Sequence, residues 1–169
     1  SVEMIDAQKL QQARFVGISV PMHTALRMGV RVIERIREVN PTCHVCCYGL
    51  YAALNSDYLL ENGADSCIGG EYEVPLLNLI ESLEQGGSGA ITSVIQRDHD
   101  AAPYLKKLPF AVPRRDELPT LEHYAQLEHE GDRRTAGYVE ASRGCLHLCT
   151  HCPIPPVYGG RFFVLPQHV

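Results

Sequence analysis

Short apolar runs alternate with amphipathic segments through the first half of this chain, and that alternation limits the folds open to it. Arg14-Phe-Val-Gly-Ile-Ser-Val20 and His44-Val-Cys-Cys-Tyr48 have strand length and few polar side chains, as suits strands buried on both faces of a parallel sheet. Pro21-Met-His23 ends the first. From Thr24 to Val39 the period turns helical, with Ala25, Met28, Gly29, Val32 and Ile36 on one face and Arg27, Arg31, Arg35 and Glu38 on another. Asn40-Pro41 is a stop. The pattern then repeats. Ser56 to Glu61 reads as a helix stopped by Asn62-Gly63, Asp65-Ser-Cys-Ile68 as a strand closed by Gly69-Gly70, and Val74 to Leu83 as a helix with Val74, Leu77, Ile80 and Leu83 inward.

Strands alternating with helices predict an α/β fold with a doubly wound, Rossmann-like parallel sheet over residues 1–96. Ligands on such sheets lie outside the carboxyl ends of the strands. The residues expected there are His23, Tyr48, Gly49, Gly69, Gly70 and Glu71. Gly86-Gly-Ser-Gly89 is a flexible break, and Ala90 to Ile95 reads as an edge strand. Residues 97–130 form a polar, proline-marked linker in which Leu121 to Glu130 is expected to be a short helix before Gly131. Residues 131–169 begin another unit, with a strand over Ala136–Ala141 leading into a loop.

That loop carries Cys145-Leu-His-Leu-Cys149-Thr-His-Cys152, a C-x3-C-x2-C run. A [4Fe–4S] cube normally takes four cysteines, so a run of three thiolates leaves one iron open to another ligand. Gly144 lets the backbone approach closely, and Pro153, Pro155 and Pro156 argue against a helix straight after the run. Two other readings stand beside this one. A zinc-binding module would use the same Cys/His-rich stretch, although no second separated ligand pair accompanies it. A non-enzymatic iron–sulfur carrier would hold a fully ligated cluster, although the ferredoxin spacing C-x2-C-x2-C-x3-C is not matched.

The other cysteines are expected to be structural. Strand alternation points Cys46 and Cys47 to opposite faces, and Cys43, Cys46, Cys47 and Cys67 read as small buried hydrophobes. Seven cysteines, an odd number without framework spacing, predict a reducing, cytoplasmic setting rather than disulfides. A net charge of −5 argues against nucleic acid or an anionic membrane surface as partner. No apolar run approaches the roughly 18 residues of a membrane span.

The segment Gly137-Tyr-Val-Glu-Ala-Ser-Arg-Gly-Cys-Leu-His-Leu-Cys-Thr-His-Cys-Pro153 resembles the first strand and cluster loop of radical S-adenosylmethionine (SAM) enzymes. The resemblance implies that Cys145, Cys149 and Cys152 hold [4Fe–4S], that SAM chelates the open iron, and that its reductive cleavage yields a 5′-deoxyadenosyl radical. It places His151 where the family has an aromatic residue near the adenine, and implies an electron donor such as flavodoxin or ferredoxin. The substrate, a small molecule or a peptide, stays open. Residues 14–85 resemble the cobalamin (B12)-binding domain preceding the barrel in many members, with Ile68-Gly-Gly-Glu71-Tyr-Glu73 similar to its Gly-Glu turn. That likeness implies a missing first strand and, if cobalamin binds between His23, Tyr48, Gly49, Gly69, Gly70 and Glu71, methyl transfer; the alternative is a cofactor-free α/β domain. Pro21-Met-His-Thr24, Cys46-Cys-Tyr-Gly-Leu-Tyr51 and Cys152-Pro-Ile-Pro-Pro-Val-Tyr158 resemble the CUAEP/CCAEP-tail radical SAM group. The expected whole is a fragment: the α/β unit followed by the start of a partial TIM-type radical SAM barrel, inactive alone.

Overall fold

Three parallel strands carry the amino-terminal half of the chain. The computed structural model describes residues 5–87, 89–116, 118–137 and 139–167. After a short helix α1 (Ala7–Gln12), β1 (Phe15–Ser19) pairs in parallel with β2 (His44–Tyr48), and β2 with β3 (Ser66–Ile68). A two-residue strand β4 (Ile95–Gln96) pairs antiparallel with β3. It is what remains of the edge strand expected from Ala90. The order is β1-β2-β3-β4. Helices cover both faces, as expected for an α/β sheet, but the strand-order reversal of a doubly wound sheet does not occur among the described strands.

The two faces are covered unequally. Helices α2 (His23–Val39), α3 (Leu50–Leu54) and α4 (Ser56–Glu61) lie on one side, where Val30, Ile33, Ile36, Ala52, Leu59 and Leu60 pack with Val45, Cys47 and Cys67. Helix α5 (Glu73–Glu84) lies on the other, where Leu79 packs with Cys46, Ile68 and Val94. Cys46 and Cys47 therefore face opposite ways, as strand alternation requires.

The helix faces needed correction. The buried stripe of α2 is Leu26, Gly29, Val30, Ile33 and Ile36, while Met28 is 42% exposed. The face centred on Ala25 and Met28 is one residue out of phase, because Leu26, Val30 and Ile33 supply the bulk that the sheet needs. In α5, Pro75 and Leu79 are buried and Leu77 is 59% exposed, so Leu77 is not an inward residue.

The carboxyl-terminal third differs more. The helix expected over Leu121–Glu130 is a 3-10 turn at Leu121–His123 followed by a hairpin, β5 (Gln126–His129) and β6 (Asp132–Thr135). Its two-residue turn puts Glu130 and Gly131 both at positive φ, 53° and 85°, as a type I′ hairpin turn demands. The strand expected over Ala136–Ala141 appears later, as β7 (Ser142–Gly144), and pairs antiparallel with β8 (Phe162–Val164). No parallel barrel unit is present among the described residues. Tyr138, within the expected strand, and Ser88, in the glycine break, lie outside those residues. No described helix is long and apolar enough to cross a membrane.

One side chain bolts the amino ends of the parallel strands to α2. Arg37 donates to Gly63 O from Nε (2.8 Å) and Nη2 (2.6 Å), to Cys43 O from Nη1 (2.6 Å), and to Asp65 Oδ2 from Nη2 (2.6 Å). Asp65 Oδ2 also accepts from Val45 N at 2.7 Å. The planar guanidinium presents five donors in a rigid fork, which lets it serve acceptors spread around its edge. Arg37→Leu is expected to cost about 3 kcal/mol, since several part-buried acceptors lose charge-assisted partners. Arg35→Ala, at an exposed pair with Glu38, is expected to stay within about 0.5 kcal/mol. Urea denaturation of the two variants checks this, and equal losses would refute it.

Candidate functional site

The C-x3-C-x2-C run is an excursion from an antiparallel stem. Arg143 pairs with Phe163 and Gly144 with Phe162, and Cys145 N donates to Arg161 O at 3.0 Å, so the chain leaves and returns at one place. Gly144 has φ 77°, and a Cβ there would collide with Arg161 O and with the ring of Tyr158. Only glycine fits. Within the loop, Cys152 N donates to Cys149 O at 3.3 Å.

A helix follows directly, against expectation: α6 (Ile154–Tyr158), with Pro155 and Pro156 in its first turn. Proline is tolerated there because those positions have no intrahelical N–H bond to lose. Gly159, in the left-handed conformation, ends the helix, and its N–H bonds Pro155 O at 2.8 Å.

All three loop thiols are free; Cys149 is exposed and Cys145 and Cys152 are partly so. Leu146 and Leu148 are 70% and 68% exposed, and His147 and His151 are exposed as well. Among the described residues no three His, Cys, Asp or Glu side chains are gathered in a metal-holding arrangement. The donor set itself suits a three-thiolate iron–sulfur site: three free thiols on one short loop, with its ends tied. Drawing them together requires movement within the loop, not of its stem.

The densest polar contacts lie beneath that loop. Glu71 is fully buried. Its Oε2 accepts from Arg143 Nη1 at 3.1 Å and its Oε1 from Tyr158 Oη at 3.1 Å. Arg143 also donates to Glu73 Oε1 (2.6 Å) and, through Nε, to Glu140 Oε2 (3.1 Å). Its guanidinium carbon stands 5.7 Å from the Tyr72 ring centre and 5.1 Å from that of Phe110, within range of cation–π attraction. Burial pushes the Glu71 carboxyl up, against the opposing pull of Arg143 and Tyr158. Burial prevails because one guanidinium is shared among three carboxylates. Tyr158 is also pushed up, first by burial and then by Glu71, and so stays a donor.

The residues expected to line a cofactor crevice are placed as follows. His23 begins α2 and is exposed. Tyr48, half-buried, rests on Tyr72 with ring centres 4.7 Å apart. Gly49 has φ 109° and donates to Ile68 O at 3.0 Å. Gly69 and Gly70 are buried against the chain itself. A Cβ on Gly69 would strike Ala53, and one on Gly70 would strike Tyr104 O. Glu71 N donates to that same oxygen at 2.8 Å. The carboxyl end of β3 is thus closed by a strap at Pro103–Leu105, and as it stands does not fit a flat cofactor lying on those glycines. Arg143 was not foreseen as a site residue. Its signal was a lone cation in Ala141-Ser-Arg-Gly144, with an acidic turn needing a partner.

The fold is similar to part of one solved structure, that of a radical SAM methyltransferase. It resembles the structure of TsrM from Kitasatospora setae, solved with tryptophan substrate and the SAM analogue aza-SAM bound, at a TM-score of 0.57 and 18% identity. The likeness covers 95% of this chain and 35% of that one, so this chain spans about a third of that protein's length. No protein-family model matches the sequence, and no curated protein does.

Because the Glu71 carboxyl is raised in the folded state, the native chain binds a proton more tightly than the unfolded one. Stability from this group is therefore full below the ordinary unfolded carboxyl value of about 4.3 and falls as pH climbs from there through the raised folded value. Glu71→Gln removes that slope. Denaturation midpoints of wild type and variant, taken from acid to neutral pH, are expected to shift progressively in the variant's favour. A constant difference across the range would refute the assignment.

Proposed function

We propose that the protein carrying this chain is a radical SAM enzyme whose Cys145, Cys149 and Cys152 hold a [4Fe–4S] cluster. One observation carries the reading: three free thiols with C-x3-C-x2-C spacing stand on a tied-off loop, in a chain whose fold follows a radical SAM methyltransferase over nearly its whole length. Those three thiolates would hold the cluster, which would supply the electron for reductive cleavage of SAM.

The chain's own residues do the holding. Gly144 lets the stem turn under the loop, and the Cys145–Arg161 bond closes it. His151, exposed in the turn before Cys152, would stack on the adenine. Methyl transfer is the finer form of the proposal, suggested by the fold likeness. Cobalamin as its methyl carrier would need the Pro103–Leu105 strap to leave Gly69 and Gly70. Membership of the CUAEP/CCAEP-tail group rests on the three quoted segments alone.

The test uses the full-length protein, reconstituted anaerobically and reduced with dithionite, with EPR recorded with and without SAM. A [4Fe–4S]⁺ signal that changes on adding SAM is the expected result. A cluster indifferent to SAM would support the carrier instead, and bound zinc without iron would overturn the reading. Each of Cys145→Ser, Cys149→Ser and Cys152→Ser is expected to lose most of the iron. Cys43→Ser, at a thiol buried in the α/β core, is expected to keep it.

A further inference from the structure

We infer that Glu71 is a positioning residue for the cysteine loop: one buried carboxylate of the α/β unit fixes both ends of the segment carrying Cys145, Cys149 and Cys152. The inference rests on the proposed role of those cysteines and assigns the device that holds them. Arg143 stands two residues before Cys145, and Tyr158 six after Cys152. Among the described residues, the hydrogen-bond partner they share in the α/β unit is Glu71, which takes Arg143 on Oε2 and Tyr158 on Oε1, each at 3.1 Å. The two anchors cannot separate without losing one of those bonds.

Further contacts tie the same point to the rest of the chain. Tyr158 packs on Gly144, immediately before Cys145. Glu71 N holds Tyr104 O of the strap, and Arg161 Nη1, at the loop's exit, donates to Leu105 O of that strap at 2.9 Å. The loop is thus fixed at entry, helix and exit to a single turn after β3.

Packing alone does not explain such a choice. A buried ion pair is a weak source of stability, because desolvation offsets the attraction, and apolar residues of similar volume often do as well. What charge-assisted bonds add is direction: a carboxylate with two occupied oxygens fixes both donors in orientation as well as distance. Coupling of this kind is also reciprocal. If gathering the three thiols tightens the Gly69–Glu71 turn through Arg143 and Tyr158, a tightened turn favours the gathered loop by the same factor.

The test compares full-length wild type with Glu71→Ala, Glu71→Gln and Tyr158→Phe, and with Ile33→Val as a core variant remote from the contact. Hydrogen exchange is read first on the metal-free protein. In Glu71→Ala the amides of Cys145 and Arg161 are expected to exchange roughly tenfold faster, while those of β2 keep their protection. Glu71→Gln, which can still accept from one donor and donate to the other, is expected to fall between. Ile33→Val should leave the loop amides at their wild-type rates. Iron content and the SAM-induced EPR change, read next on reconstituted protein, should fall in the same order.

Unchanged loop exchange in the Glu71 variants, or equal loosening by Ile33→Val, overturns the inference. Should Glu71→Ala fail to fold, Glu71→Gln and Tyr158→Phe carry the comparison. A wild type that takes up no iron, with loop exchange still governed by Glu71, refutes the iron–sulfur reading and leaves the tether standing. Iron uptake with exchange indifferent to Glu71 does the reverse.

Discussion

A carboxylate without exposed surface has to be met on every side, and the joining of sheet, linker and cysteine loop can be followed outward from Glu71. Its backbone N–H takes Tyr104 O, which brings the linker across the end of β3. Its two side-chain oxygens take Arg143 and Tyr158, which bring in the stem and the helix of the cysteine loop. Removing one partner of such a pair leaves an uncompensated buried charge, typically a loss of about 3–5 kcal/mol. The turn Gly69-Gly70-Glu71 is accordingly where the sheet, the linker and the loop meet.

Charge balance at that point is deliberately lopsided. Arg143 faces Glu71, Glu73 and Glu140 together, so a single cation serves three acids. The raised Glu71 carboxyl is the physical consequence, since the most buried of the three is the one least able to remain ionised. Arg143 answers by holding its proton more firmly: desolvation opposes this, but the hydrogen bonds and charges of Glu73, Glu140 and Glu71 together outweigh it. The guanidinium also forms part of the wall of a cavity of about 690 Å³ between α5 and the segment Leu108–Pro113. Apolar residues such as Val74, Leu77 and Phe110 make up much of the rest of that wall, which accounts for the exposure of Leu77.

The parallel strands were legible because burial on both faces leaves an unbroken apolar run, as in His44-Val-Cys-Cys-Tyr48. Helix α3 was not, since Leu50-Tyr-Ala-Ala-Leu54 is too short to show a period and follows the strand after a single glycine. The phase of α2 was misread because Met28 is apolar yet points to water, and periodicity cannot distinguish a spare apolar side chain from a packed one. The β5–β6 hairpin has both strands exposed, so it lacks the alternation that reveals a half-buried strand. Prolines 155 and 156 were read as helix breakers when their place in the first turn makes them compatible with one. Gly69, Gly70 and Glu71 read from sequence as a cofactor crevice, but glycine in such a turn clears space equally well for a cofactor or for its own chain. Here Ala53, Pro103 and Tyr104 occupy that space.

Burial also sorts the seven cysteines into two chemistries. Cys43, Cys46, Cys47 and Cys67 are buried in the α/β unit. Desolvation raises the Cys43 thiol, and pushes that of Cys46 up to about 12. Cys67 is raised further still, chiefly by its hydrogen bond with Cys47 and then by burial. A thiol held protonated is neither a nucleophile nor a metal ligand, so the C-x2-C spacing of Cys43 and Cys46 does not make a site. Cys145, Cys149 and Cys152 are not buried, because their loop projects from its stem with its leucines and histidines exposed. The same sheet that buries four thiols supplies, through Glu71, the fixed base from which the other three are presented. A loop that must close around a cluster needs freedom at its tip and none at its ends, and the placement of Arg143, Gly144 and Tyr158 divides the segment in that way.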